Sequence, residues 1–303
     1  MENVLKTSNL TKTFSRKTAV SSVNMNIKKG DIYGFIGRNG AGKTTLIKMI
    51  VGLSSPTSGT IELFDDKNLN KQRHKIGTVI EAPAFVPHLS ARENMYIQWK
   101  LLGSKDNSII DETLKLVGLD DVGKKKVKNF SLGMKQRLGI AMTLMGEPEF
   151  LILDEPTNGL DPEGIIEVRK MLKKLNQERG LTILISSHIL GELSKLATRY
   201  GIINNGVLIE EFTDKELNER CHAGLVVNVN DVQKASEILK TELNTENFSV
   251  INENTLEIQG FADNPGTVTK VLAKNDVVVD SISQKAVDLE EYFMSVIGGD
   301  KND

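Results

Sequence analysis

The sequence predicts an α/β fold followed by a small α+β domain. Three observations predict it. Continuously apolar runs of strand length alternate with helical patterns. The helical patterns stop at glycines. The character of the chain changes near Asp214. Apolar runs of this kind between helices indicate parallel strands covered on both faces. The 303 residues suffice for one large domain or two ordinary ones.

The first strand of this kind is "DIYGFIG" (residues 31–37), which ends in glycine, and "TTLIKMIVG" (44–52) is a helix stopped by Gly52. "FLILDEP" (150–156) is apolar and then acidic. "GIIEVRKMLKKLNQERG" (164–180) is an amphipathic helix with a glycine stop, and "LTILISSH" (181–188) is another buried strand. Residues 96–129 read as mostly helical, with Leu101, Leu114, Leu116 and Leu119 among the apolar positions, which suggests a helical subdomain over about 85–145 within a first domain of residues 1–213. Past Asp214, "GLVVNVN" is a strand and "DVQKASEILKTEL" a helix capped by Asp231. "NFSVINENTLEIQGF" is a hairpin, "NPGTVTKVLAKN" a helix with Pro265 near its start, "DVVVDSISQ" a strand and "DLEEYFMSVIG" a closing helix. The order β-α-β-β-α-β predicts a ferredoxin-like sandwich over residues 214–303.

Composition narrows the function classes. Hydrophobic residues make up 39% and charged residues 26%, as expected for a soluble globular protein. A net charge of -2 argues against nucleic acid as the main partner. The local run "GKKKVKN" (123–129) reads as a solvated loop. The single cysteine, Cys221, allows no disulfide framework and fits a reducing cytoplasm. The N-terminal residues lack the apolar core of a secretory signal. No stretch approaches the roughly 20 apolar residues of a membrane helix, so work at a membrane would need a separate spanning chain.

The chemistry lies in a few short segments. "GRNGAGKT" (37–44) follows a strand and opens a helix, the context that identifies a phosphate-binding P-loop. Gly37, Gly40 and Gly42 let the backbone turn tightly and aim N–H groups at phosphate oxygens. Asn39, Ala41 and Thr45 complete the loop, and the helix N-terminus adds partial positive charge. Lys43 can reach the β- and γ-phosphates, and Thr44 can ligate Mg²⁺. Asp154 ends a buried strand as a second Mg²⁺ ligand, and Glu155 follows as a general base for water aimed at the γ-phosphate.

After these come "FSLGMKQR" (130–137) opening a helix before the "LILDE" strand, "TNGLDP" (157–162) after it, and "SSHIL" (186–190) at the end of the next strand. In this order the segments resemble the ATP-binding subunits of ABC transporters over about residues 5–211. The resemblance implies an ABC-type ATPase core with a helical subdomain, acting on ATP with Mg²⁺. It implies that Ser131 and Gly133 of the signature contact the γ-phosphate held by a partner subunit's P-loop. Here Leu132 and Met134 replace the usual glycine and glutamine. His188 matches the switch histidine that contacts the γ-phosphate and orients water, Asp161 the aspartate that touches the partner subunit, and Phe14 the aromatic that stacks on adenine. Ser131 also reads as a plain helix cap and Phe14 as a core aromatic.

One more segment stands out. "IGTVIEAPAF" (76–85) carries the single acid Glu81 in an apolar run, which is costly unless paired. The resemblance places Glu81 where the family usually has a glutamine that ligates Mg²⁺ and couples the site to the membrane subunit. The glutamate, together with "GDIYGFIGRNGAGKTT", "LILDEPTNGLDP" and "LEEYFMSVIGG", is similar to the branch that exports bacitracin and lantibiotic peptides. That implies a homodimer or pseudo-dimer of ATP-binding subunits at the cytoplasmic face of a bacterial membrane. It also implies separate permease subunits that handle an antimicrobial peptide. Glu81 also reads as a strand-end acid satisfied by backbone N–H groups. A rival class is a non-transport ABC ATPase acting on nucleic acid or ribosomes, and the C-terminal domain reads as a dimer-stabilising or regulatory appendage or as a ligand sensor.

Overall fold

The computed structural model describes residues 2–81, 83–103, 106–220, 224–262, 264–285 and 289–298, so Cys221 lies outside it. The chain divides into two compact units, Met1–Thr213 and Asp214–Asp303.

The first unit begins with β1 (Asn3–Phe14), β2 (Lys17–Val23), β3 (Asn26–Lys28), β4 (Ile32–Ile36), α1 (Lys43–Val51) and β5 (Ser58–Leu63). It continues with α2 (Leu69–Gln72), β6 (Ile76–Val79), α3 (Ala91–Leu101), α4 (Ser108–Leu116) and α5 (Leu132–Leu144). It closes with β7 (Phe150–Asp154), α6 (Pro162–Arg179), β8 (Thr182–Ser187), α7 (Leu190–Leu193), β9 (Arg199–Asn204) and β10 (Val207–Thr213). Six strands form one sheet in the order β10-β9-β4-β8-β7-β6, parallel except for β10, which runs antiparallel to β9 at the edge. Every residue of β4, β7 and β8 is buried, which is why these segments read as unbroken apolar runs.

A second sheet lies N-terminal in sequence: β2-β1-β3, with β5 also paired to β1, all antiparallel. The two sheets share a core across α1. Leu46, Ile47, Met49 and Ile50 of that helix cluster with Leu5, Leu10, Val20 and Ile27 and with Phe35, Phe150, Ile152 and Leu184. Each such fully buried side chain contributes about 1.5–3 kcal/mol. The consequence for function is positional. α1 is wedged between two sheets, so the loop that opens it is fixed at the carboxyl edge of the parallel sheet, where ligand sites of open α/β folds lie.

Between β6 and β7, helices α3, α4 and α5 pack on one another around Met95, Trp99, Ile110, Leu114 and Leu138. α3 opens with a reciprocal cap: Ser90 Oγ accepts from the Glu93 amide while Glu93 accepts from the Ser90 amide. That backbone N–H, with the Ser90 side chain and Lys126, pulls the Glu93 carboxyl down to about 2.

The second unit holds α8 (Asp214–Arg220), β11 (Leu225–Val229), α9 (Val232–Glu242), β12 (Phe248–Asn252), β13 (Thr255–Ile258), α10 (Pro265–Lys274), β14 (Val279–Gln284) and α11 (Leu289–Gly298). Its antiparallel sheet runs β12-β13-β11-β14, the strand order of a ferredoxin-like sandwich. Val232, Ala235, Leu239, Val268 and Leu272 of α9 and α10 cover one face through Leu225, Val227, Leu256 and Ile258. Asp231 caps α9 by accepting from the Lys234 amide. Other side chains of the sheet form polar ties, Thr255 to Asn228 to Ser281 and Lys285 to Glu257.

Within the first unit, β4 is tied to the edge of its sheet by a partly buried polar cluster. The Tyr33 hydroxyl donates to Glu211 Oε1 at 2.8 Å, and the Asn26 amide donates to the same oxygen at 3.1 Å. A side chain at Gly201 would collide with the Tyr33 hydroxyl, so glycine is required there. Burial raises the Glu211 carboxyl above its ordinary 4.5, against the pull of Asn26, Tyr33 and Arg199, and Asp31 nearby is raised by burial as well. A carboxyl raised in the fold gives its full stability below 4.5 and loses it as pH climbs through the folded value. Glu211→Gln removes that loss. The urea midpoint of the variant relative to wild type is expected to climb between pH 4.5 and 7, and a gap that stays constant with pH would show that burial of this carboxyl does not matter.

Candidate functional site

The P-loop geometry follows from three glycines. Gly40 and Gly42 have φ of +81° and +110°, where a side chain is strained. A Cβ on Gly42 would also stand 2.6 Å from the Ala19 carbonyl, and one on Gly37 2.7 Å from that of Ile203. The loop is thus pinned between β2 and β9 and opens onto a cleft of about 550 Å³. Phe14, Lys17, Thr18, Arg38, Asn39, Gly40, Gly42, Lys43, Thr44, Thr45, Glu155 and Asn205 reach its wall. The size suits a nucleotide-sized ligand.

Lys43 is nearly buried, at 5% exposure, and donates to the Gly37 carbonyl at 2.6 Å. Its ammonium also lies 3.1 Å from Glu155 Oε1. The other Glu155 oxygen meets His188 Nδ1 at 2.7 Å. Glu155 therefore stands between a cation and an imidazole, on a backbone with φ +51°, rare for a residue with a side chain.

Asp154, 4% exposed, is bound on both oxygens. Thr44 Oγ1 donates to Oδ2 at 2.6 Å and Ser186 Oγ to Oδ1 at 2.5 Å. Ser186 Oγ also accepts from the Glu155 amide at 2.9 Å, so one hydroxyl orients both acids. The Thr44 hydroxyl and the Asp154 carboxylate form a pair of hard oxygens beside the phosphate loop. That donor set fits Mg²⁺, which takes one or two protein oxygens and fills its shell with water and phosphate.

Phe14 lines the cleft with 52% of its surface exposed, so it is no core aromatic. Lys12 holds its ammonium 4.9 Å from the ring centroid. Ala41 is buried under the loop. Ser131, Gly133 and Asp161 form a separate group. Ser131 Oγ caps α5 by accepting from the Met134 amide at 3.2 Å, and Asp161 caps α6 by accepting from the Gly164 amide at 3.1 Å. A Cβ on Gly133 would lie 3.6 Å from Gly164 Cα, which places the two helix N-termini side by side. None of the three lines the P-loop cleft.

Glu81, which the resemblance places at the metal, is 70% exposed at the exit of β6 with φ +63°. Its carboxylate accepts from Lys48 Nζ at 2.8 Å. That hydrogen bond and the charge behind it hold the Glu81 carboxyl below its ordinary range, so the partner is a lysine side chain and not backbone N–H groups. Among the described residues, no three His, Cys, Asp or Glu side chains converge as a metal site.

Sequence reasoning missed Lys48, Ser186 and the cleft wall from Lys17 to Ala19. Lys48 was legible, since it follows Thr44 by one helical turn. Ser186 had a signal in the hydroxyl-rich end of "LISSH". Among the described residues, no helix is long and apolar enough to cross a membrane.

Residues 20–158 match the family described as ABC transporter. The chain is 43% identical to the bacitracin transport ATP-binding protein BcrA of Bacillus licheniformis, covering 99% of both chains. It is 48% identical to the lantibiotic transport ATP-binding protein SrtF of Streptococcus pyogenes over 69% of this chain and 90% of that one. Among solved structures it resembles cbiO1 from Clostridium perfringens, part of an ABC transporter complex, at TM-score 0.66 and 30% identity, over 72% of this chain and 92% of the other. It also resembles the dimeric post-hydrolysis state of the ATP-binding cassette MJ0796 bound to ADP and Pi, at TM-score 0.60 and 28% identity, over 69% and 98%.

Proposed function

Because the chain belongs to the ABC transporter family of ATP-binding proteins, we propose that its ATPase activity powers removal of a bacitracin- or lantibiotic-type peptide through separate membrane subunits. The observation that carries the chemistry is Glu155, held 3.1 Å from Lys43 and 2.7 Å from His188 at the mouth of the P-loop cleft. The observation that supports the substrate class is likeness over the whole chain, C-terminal unit included, to a bacitracin transport protein.

The residues then take definite roles. The amides of residues 39–45 and Lys43 bind the ATP phosphates, and Phe14 stacks on the base. Thr44 and Asp154 would hold Mg²⁺, which would supply positive charge against the phosphate oxygens. When ATP draws the Lys43 ammonium to its phosphates, Glu155 is freed on that side and remains hydrogen-bonded to His188. It accepts a proton from the water that adds to the γ-phosphorus as the bond to ADP breaks, leaving ADP and inorganic phosphate. Ser131 and Gly133 lie outside the cleft of their own chain, which supports completion of the site by a second copy or a homologous subunit. Closure on ATP and opening after hydrolysis supply the stroke delivered to a permease at the cytoplasmic face of the membrane. The lysine run adds nothing that favours nucleic acid: Lys126 pairs with Glu93 at 3.1 Å and Lys125 lies over Phe130.

Co-expression with its membrane subunits in a susceptible bacterium tests the substrate class. The inhibitory concentration of bacitracin or a lantibiotic is expected to rise several-fold, and to fall back with a hydrolysis-dead chain. An unchanged inhibitory concentration with an active ATPase would overturn it.

A further inference from the structure

We propose that Arg169 is a positioning residue for ATP hydrolysis: through Glu192 it clamps the short helix that follows His188, and so keeps the imidazole against Glu155. The inference rests on the reading of Glu155 and His188 as the pair that handles the attacking water.

His188 stands between two elements of unequal firmness. On one side β8 ends at Ser187, fully buried and paired to β4 and β7. On the other side comes α7, only four residues long. A single helical turn does not hold itself in water, so its neighbours must hold it. Leu190 and Leu193 are buried and give α7 an apolar footing, but apolar contact has no direction. The directional tie is Glu192, whose Oε2 accepts from Arg169 Nη1 at 2.6 Å. Arg169 belongs to α6, an 18-residue helix that buries Val168, Met171, Leu172 and Leu175. The anchor is firm and the segment it ties is not.

The pair also borders a narrow seam that reaches the flanks of both reacting residues. Arg169 of α6 and Glu192 and Leu193 of α7 line a gap of about 20 Å³. Pro156, one residue beyond Glu155, lines it too, as does Ser187, one residue before His188. Arg169 and Glu192 are only 21% and 22% exposed, so solvent screens their attraction less than that of an open surface pair. Lys195 also reaches Glu192, at 3.4 Å, but from three residues along the same segment and with 59% of its side chain exposed. That contact is internal to the segment and does not tie it to α6. Without Arg169, α7 keeps its apolar footing and loses its tie. The His188 backbone is then free to turn the ring away from Glu155 Oε2, which now lies 2.7 Å from Nδ1. Arg169 does not line the P-loop cleft, so nucleotide binding should be spared.

The test reads ring and rate separately in the purified full chain. Nitrogen NMR of histidine-labelled protein, with four histidines to resolve, reports which ring nitrogen of His188 carries the proton. Loss of the signal in His188→Ala identifies it. In the wild type Nδ1 faces a carboxylate, which only accepts, so Nδ1 carries the proton. Arg169→Met should move that signal toward the mixed tautomers of a free imidazole. It should lower kcat by about tenfold, inside the cost of up to about 10²-fold for a misplaced group, with ATP affinity unchanged. Arg169→Lys keeps the cation and should restore most of both. Lys195→Met should leave both at wild type. Glu192→Gln removes the charge and keeps the shape, so it should act in the same direction even if Arg169→Met does not fold. Wild-type kcat and ring signal in these Arg169 and Glu192 variants overturn the proposal. So does a fall in kcat with the wild-type ring signal, which would make Arg169 a general prop of the fold. If the ring signal moves and kcat does not, the clamp stands but the reading of His188 in hydrolysis fails, and the role of Arg169 in hydrolysis fails with it.

Discussion

Glu155→Gln is expected to lower kcat for ATP hydrolysis by about 10²–10⁴-fold, the range a positioned general base supplies, while leaving ATP affinity close to wild type. The substitution removes the proton acceptor and keeps the shape. The amide oxygen can still accept from His188 Nδ1, and the backbone N–H still donates to Ser186 Oγ. Because Glu155 in the resting chain also meets Lys43 at 3.1 Å, the neutral amide leaves that ammonium freer for phosphate. Affinity should therefore hold or improve slightly. Steady-state release of phosphate and equilibrium binding of ATP read the two quantities separately. Hydrolysis by the variant at the wild-type rate would remove Glu155 from the role of base.

Lys43→Met acts at the earlier step. Lys43 is almost fully buried and has no solvent to lose when phosphate arrives. Its ammonium leaves the Gly37 carbonyl and Glu155 for a more highly charged partner. Charge-assisted hydrogen bonds of this kind contribute about 1.5–3 kcal/mol, so ATP affinity should fall by about 10–100-fold. The methionine keeps a long unbranched side chain beside the loop, but Glu155 loses its cation. Binding measured by displacement of a fluorescent nucleotide distinguishes this from a catalytic defect. Unchanged affinity would mean that the amides alone carry the phosphates.

The contrast between these two residues and Glu81 shows which parts of the site the sequence makes legible. The P-loop and the "LILDE" strand were readable because their chemistry is local. Glycines at fixed spacing, a lysine at a helix start and acids at the end of a buried strand determine one another over a few residues. The central strands were readable because burial on both faces leaves no polar interruption. The sheet formed by β1, β2, β3 and β5 was not, because its strands alternate with Ser, Thr, Asn and Lys on the open side and pair across up to 58 residues, as Leu5 does with Leu63. The C-terminal sandwich was legible from its order of elements, since hairpin and capped helices are again local signals. Lys48 and Ser186 were overlooked because their meaning lies in pairings across 33 and 32 residues. A carboxylate at the end of an apolar run announces that it needs a partner, but only the fold, which brings Lys48 of α1 to it, says which.

The central claim is that Lys43, Thr44, Asp154, Glu155 and His188 form half of an ATP site that a second subunit's Ser131 and Gly133 complete. Sedimentation of the full-length Glu155→Gln chain, with and without saturating ATP and Mg²⁺, tests it most directly. The account predicts that ATP drives association into a dimer holding two nucleotides, and that Ser131→Arg, at the N-terminus of α5 outside the chain's own cleft, abolishes the ATP-driven step while leaving nucleotide binding to the single chain. An association constant that ATP does not change, at full nucleotide occupancy, would contradict it.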